Sequence, residues 1–184
     1  MLLYHTGFQE IRNPDVHYGR KNADFGQGFY LTADAEFSRR WAKERGNMRT
    51  VVNTYELDHS GLDICRFTRN GDWFDYIFAN RAGKPDSIKA DVIIGPIAND
   101  TIYDTFGIIT SGFLKESDAL RLLLIGPEYR QIVLKSDKAV SHLKWLSAVT
   151  LLPEELEKYH EIVAAEEAEY QRLFAAEMEK ITSD

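Results

Sequence analysis

The chain carries a single cysteine, Cys65, in 184 residues. One cysteine excludes an intramolecular disulfide and a cysteine-based metal site. Cys65 sits in Leu62-Asp63-Ile64-Cys65-Arg66-Phe67, which reads as buried strand, so a structural thiol is expected rather than a nucleophile. No stretch reaches the roughly 18 consecutive apolar residues of a membrane helix. Met1 to Gly7 has neither a basic start nor a long apolar run, so no secretory signal is expected. A cytoplasmic location follows as the default, with delivery by a route that needs no such signal left open. His17, His59, His142 and His160 show no metal-ligand spacing with partners, and no metal is expected. There is no Walker A motif. Phe25-Gly26-Gln27-Gly28 is followed by no helix start with a third glycine, which excludes a Rossmann fingerprint.

Positive charge is also scarce. The net charge is −7, and the ten acids and three bases between Pro153 and Asp184 account for all of it, leaving nineteen of each sign in the rest. Neither part is a basic nucleic-acid footprint. Arg39, Arg40, Lys43 and Arg45 are interleaved with Glu36 and Glu44 and read as a solvated helix face.

What is present centres on Asp24-Phe25-Gly26-Gln27-Gly28-Phe29-Tyr30-Leu31-Thr32. Gly26 and Gly28 let the backbone turn tightly or lie close against a ligand. Phe29 to Thr32 has the aromatic and β-branched content of a strand. The segment is either a hairpin with a core tyrosine or a floor for a flat aromatic ligand.

Further strands are expected at Leu2–His5, Thr50–Leu57, Leu62–Phe67 and Asp91–Ile97, with Gln131–Lys135 as the last. Helices are expected from about Ala33 to Arg45, capped by Thr32 or Asp34 and ended by Gly46-Asn47, and from Asp72 to Arg81. Others follow over Thr101–Phe106 after Asn99-Asp100, over Asp118–Leu124 after Ser117, and over Ala139–Leu146. Pro153 opens a long helix to about Ile181, with Leu156, Tyr159, Val163, Tyr170, Phe174 and Ile181 as its stripe. The mixture without regular βαβ alternation argues for α+β. The expected division is a body over 1–150 and an acidic amphipathic helix over 151–184.

Three pieces stand in order: Leu3-Tyr4-His5-Thr6-Gly7, then Phe25 to Thr32, then Gln131-Ile132-Val133-Leu134 with His142 to Leu146 behind it. This set resembles the ADP-ribosyltransferase superfamily of the His-Tyr-Glu type, shared by diphtheria toxin and the poly-ADP-ribose polymerases. The span Leu2 to Leu146 is more closely similar to a bacterial family of unknown function, DUF3990. The residues that carry the likeness are Tyr4-His5, Asp24 to Thr32, Trp41-Ala42, Asn80-Arg81, Gly95 to Asp100 and Gln131-Ile132.

The resemblance implies a split core of two antiparallel sheets with peripheral helices, plus the long C-terminal helix. It implies an NAD-dependent mono-ADP-ribosyltransferase of the toxin or effector kind, releasing nicotinamide and modifying an unidentified protein or nucleic acid, with NAD as co-substrate. The catalytic set would be His5, Tyr30 and Gln131. Thr6, Gly7, Arg20, Phe25, Gly28, Thr32, Asn80 and Arg81 would bind the cofactor. A backbone amide near Thr6-Gly7 would hold the carboxamide, and His5 would donate from a neutral imidazole to a ribose hydroxyl. Tyr30 would stack on nicotinamide. Arg20 or Arg81 would fork the pyrophosphate, or else pair with local acids.

The departure lies at Gln131, which takes the glutamate's place if one residue is inserted before Ala139. A glutamine binds a 2′-hydroxyl but brings no charge to an oxocarbenium-like transition state, a loss often worth about 10²–10³ in rate. Glu128 and Glu56 are the candidate substitutes. The alternatives are an NAD-degrading glycohydrolase or phosphorylase, and a non-catalytic NAD- or ADP-ribose-binding module. The tail either docks on the body, covers the NAD cleft or binds a partner such as an antitoxin.

Overall fold

Along each central strand, successive side chains point to opposite faces, and the two faces meet different partners. The computed structural model describes residues 1–41, 48–98 and 114–183. One sheet contains β1 (Leu2–Gly7), β3 (Val51–Leu57) and β7 (Leu143–Thr150), in the order β1-β3-β7 and antiparallel throughout. The other contains β2 (Phe29–Leu31), β4 (Ile64–Arg66), β5 (Val92–Pro96) and β6 (Arg130–Leu134), in the order β2-β6-β5-β4. Val92, Ile132 and Leu134 of the second sheet pack with Leu3, Tyr55 and Leu57 of the first. Ile93 and Val133, one position along, pack on the opposite side against helices. The second sheet is therefore covered on both faces, which accounts for the unbroken apolar run Val92-Ile93-Ile94.

The helical layer is made by α2 (Gly71–Arg81), α3 (Glu116–Leu123) and α5 (Pro153–Ser183). Trp73, Phe74 and Ile77 from α2 meet Leu122 and Leu123 from α3 and Tyr170 and Phe174 from α5. Two short helices, α1 (Ala35–Arg40) and α4 (Asp137–Ser141), flank the sheets. The chain is thus α+β with five helices among the described residues.

Several expectations change. The second sheet is mixed rather than antiparallel, because β4 and β5 run parallel and α2 carries the chain between them. Parallel neighbours need such a crossover. Gln131–Lys135 is not the last strand, and Ala139–Leu146 is not one helix. Asp137–Ser141 forms a short helix capped by Ser136, and His142 ends it. Residues 143–150 then pair along β3 as β7. The apolar spacing of Ala139, Leu143 and Leu146 imitates a helix, but Trp145, Val149 and Thr150 fit a pleated surface and long-range pairing prevails. Asp34, rather than Thr32, caps α1, accepting from the N–H groups of Glu36 and Phe37, each at 2.9 Å. Ser117 lies inside α3, whose N-cap position is Lys115. The expected C-terminal part of α1, its Gly46-Asn47 end, and the Asn99-Asp100 cap with the Thr101–Phe106 helix lie outside the described residues.

The acidic helix docks on the body. Tyr159, Tyr170 and Phe174 are its buried residues. Leu156 packs near Val52 and Leu151, and Ile181 packs at the helical core. Burying each large apolar side chain stabilises by roughly 1.5–3 kcal/mol. Where the stripe weakens at Glu166-Glu167, an ion pair between Glu166 and Arg40 of α1 takes its place.

Candidate functional site

The two sheets touch edge to edge at one backbone pair. Tyr4 N–H donates to Thr32 C=O at 2.8 Å, and Thr32 N–H donates to Tyr4 C=O at 3.0 Å. Continued in the same antiparallel register, the ladder would next join Thr6 to Tyr30. Instead His5 Nδ1 bonds to the Tyr30 carbonyl oxygen at 2.8 Å. The imidazole wedges β1 from β2, and a cavity of about 410 Å³ opens there. That volume is in the range of small-molecule sites. Its lining brings together His5, Thr6, Gly7, Arg20, Tyr30, Thr32 and Gln131 from segments far apart in the chain.

A carbonyl oxygen only accepts, so His5 Nδ1 must carry the proton, and Nε2 is left with its lone pair. Burial holds the imidazole below its usual pKa even though the bond to Tyr30 favours the cation. A neutral His5 therefore offers a ligand an acceptor, not the donor expected from the sequence. Thr6 supplies the backbone groups. Tyr4 turns both of its peptide groups toward β2, so the alternation of antiparallel pairing turns those of Thr6 to the same edge, where β2 has diverged. The Thr6 hydroxyl is tied elsewhere, donating to Ser38 C=O at 2.5 Å.

Tyr30 is held by its own turn. Its hydroxyl donates to Gly26 C=O at 2.7 Å and accepts from Phe25 N–H at 3.1 Å. Burial, with Asp24 nearby, pushes the phenol far up in pKa. The hydroxyl is thereby fixed as a donor, and the ring is what lines the cavity.

The glycines serve the chain rather than a ligand. Gly26 has φ +69°, and a Cβ there would lie 2.8 Å from Asn80 Oδ1. A Cβ on Gly28 would lie 2.6 Å from Leu134 C=O, so Gly28 lets the turn press against β6. Phe25 does not line the cavity. It is fully buried, with its ring against Phe67 and Tyr76.

Asn80 and Arg81 sit one layer behind. Asn80 Nδ2 donates to Asp24 C=O at 3.2 Å and to Tyr76 C=O at 2.9 Å. Arg81 grips Asp24 Oδ1 through Nε at 2.9 Å and Nη2 at 2.7 Å, with the two side chains only 5% and 7% exposed. Arg81 thus pairs with a local acid. Arg20 is exposed at the cavity and makes no ion pair among the described residues, so it is the cation available to a phosphate. Thr32 lines the cavity, but its hydroxyl donates to Arg130 C=O at 3.2 Å and accepts from Asp34 N–H at 3.2 Å.

Gln131 is 7% exposed, lines the cavity and has no partner for Nε2. A buried amide left unpaired is costly, and Nε2 is itself buried, so the fold carries that cost. Neither candidate glutamate joins it. Glu128 is paired with Arg130 at 2.8 Å on the surface, and Glu56 is exposed beside Leu2. The only acid in the lining, among the described residues, is Asp24. Asp24 opens the glycine-aromatic stretch, but its pairing with a residue 57 positions away has no signature in sequence. Trp41, Ser38 and Ile97 also line the cavity. Among the described residues no three His, Cys, Asp or Glu side chains gather as a metal site, and no helix is long and apolar enough to cross a membrane.

Residues 1–145 match the family described as Protein of unknown function (DUF3990), and the chain belongs to that family. No curated protein and no solved structure matches it.

Proposed function

We propose that this DUF3990 protein binds NAD in the cavity between its two sheets and acts as a mono-ADP-ribosyltransferase. The observation that carries the reading is the meeting of His5, Tyr30 and Gln131, from three different strands, around one cavity. The Thr6 peptide groups at the parted sheet edge meet the first requirement of a fit, polar groups that lack a strand partner until a ligand arrives.

Each residue then has a task its geometry permits. The Thr6 backbone holds an amide through paired N–H and C=O groups. The Tyr30 ring offers a flat apolar face to an aromatic ring. His5 Nε2 accepts from a sugar hydroxyl and orients it. Gln131 donates to a second sugar oxygen. Arg20 meets the pyrophosphate at the exposed rim. NAD, when bound, supplies a glycosidic bond to a pyridinium that departs as neutral nicotinamide. The chain's part is to hold the ribose and nicotinamide apart in orientation and to shield them from water.

Clickable NAD incubated with the protein and cell lysate tests this. Wild type is expected to release nicotinamide and label a macromolecule, and His5→Ala and Tyr30→Ala are expected to do neither. Absence of both signals in the wild type would sink the transferase reading. Nicotinamide release without label would indicate an NAD-degrading enzyme.

A second reading has an observation of its own. Asp24 is neutralised by Arg81, and Gln131 carries no charge, so the described lining brings no free carboxylate to a developing cation. The chain is then an NAD-binding module. Calorimetry would show NAD binding with no nicotinamide released.

A further inference from the structure

Tyr129 stands two residues before Gln131 and connects several parts of the cavity wall. Its ring stacks on Phe37, with centroids 4.1 Å apart and planes 12° apart. Phe37 in turn meets Trp41 edge-on at 5.8 Å, and Trp41 lines the cavity. The Tyr129 carbonyl accepts from the N–H of Ile97 at 2.8 Å, and Ile97 lines the cavity as well. Three cavity residues, Trp41, Ile97 and Gln131, are therefore placed with reference to one tyrosine.

The hydroxyl of that tyrosine is fixed from outside the body. It accepts from Arg40 Nη1 at 2.6 Å and donates to the Glu166 carboxylate, whose oxygens lie at 3.1 and 3.2 Å. Arg40 is ion-paired with Glu166. The Arg40 and Glu166 side chains are 24% and 29% exposed, so water screens them less than a surface pair. Arg40 Nε is buried without a partner, which leaves the guanidinium dependent on Glu166 and Tyr129. Glu166 belongs to α5, which lies wholly beyond the 1–145 span of the family match. A second bond joins the same helices, from Tyr159 hydroxyl to Glu36 at 3.0 Å.

We propose that Glu166 is a positioning residue of the cavity. Through Arg40 and Tyr129 it sets the wall that Trp41, Ile97 and Gln131 form, and α5 is part of the ligand site's construction. Without Glu166, a half-buried cation keeps only a phenol oxygen. It must then turn toward water, and the last turn of α1, which carries Ser38 and ends at Trp41, follows it. The choice of NAD as the ligand to be measured rests on the function proposed above. The positioning itself does not.

The test uses the full chain with Glu166→Ala, Glu166→Gln and Tyr129→Phe, and with Glu167→Ala, an exposed neighbour, as control. Hydrogen exchange over residues 35–41 and 129–134 is read beside NAD binding. Glu166→Ala is expected to speed exchange over 35–41 and weaken NAD binding by roughly tenfold each. Glu166→Gln, which keeps an acceptor but not the charge, is expected to fall between, and Glu167→Ala to match wild type. Wild-type exchange over 35–41 in Glu166→Ala overturns the proposal whatever NAD does. So does an equal rise in exchange across β3, which would mean general destabilisation, and so does local loosening with unchanged NAD affinity. If the wild type binds no NAD while exchange over 35–41 still responds, the NAD reading fails and the positioning stands.

Discussion

His5 Nδ1 donates to the Tyr30 carbonyl oxygen at 2.8 Å, where the next ladder bond between β1 and β2 would otherwise fall. One side chain thus parts the sheets, fixes its own tautomer and leaves Nε2 facing the gap. The cavity exists because a strand residue replaces a backbone bond with an imidazole bond.

The same bond sets a pH dependence. Burial lowers the His5 pKa in the folded chain, so below its ordinary value of 6.5 the unfolded state takes up a proton that the folded state resists. Stability is unaffected by this group above about pH 6.5 and falls as pH drops below it. Urea unfolding of wild type and His5→Gln from pH 5 to 8 is expected to show wild type losing stability relative to the variant only on the acid side. A constant difference across the range would contradict the buried neutral imidazole.

Arg81 and Asp24 form a buried pair behind the cavity. Removing one partner of such a pair leaves an uncompensated charge and typically costs about 3–5 kcal/mol. Arg81→Met is expected to destabilise in that range. Arg81→Met combined with Asp24→Asn is expected to recover part of the loss, because the stranded charge is gone. Denaturant midpoints at constant slope measure both.

A methyl group on Gly28 would meet Leu134 C=O at 2.6 Å, and the β6 backbone cannot yield as a flexible side chain would. Gly28→Ala is expected to lose about 1–3 kcal/mol, the usual cost of overpacking. Gly61→Ala has open space but a φ of +73°, so its smaller loss isolates backbone strain from collision. Equal losses at the two positions, read by thermal unfolding, would argue against the close approach of the turn to β6.

Gln131 tests the chemistry. Replacing it by Leu removes the amide at nearly constant volume and relieves the unpaired Nε2. The folded state is expected to hold or gain stability, while nicotinamide release falls by about 10²-fold, the scale of losing one donor in a reacting site. A release rate within twofold of wild type would remove Gln131 from the site's working parts.

The candidate site was legible in sequence through the resemblance, which picked out short local patterns. A histidine next to Thr-Gly, a glycine-aromatic segment with a tyrosine, and a glutamine before a β-branched run marked three strands that do meet. The acidic helix was legible too, because its stripe at Leu156, Tyr159, Tyr170 and Phe174 repeats at helical spacing. Strand β7 was not, since Ala139, Leu143 and Leu146 satisfy a helical period locally and only pairing with β3 decides otherwise.

Residue types and short-range spacing by themselves determined the class of fold and most strand positions, and the resemblance to a family picked out the cavity's principal side chains. Only tertiary structure decided what those side chains have left to offer. Hydrogen-bond partners come from segments tens of residues away. A tautomer fixed by Tyr30, an arginine committed to Asp24, glycines that clear β6 and Asn80, and a tyrosine steadied by Glu166 are all consequences of distance in space. Sequence spacing carries no record of such distances, because the chain's path between the elements sets them.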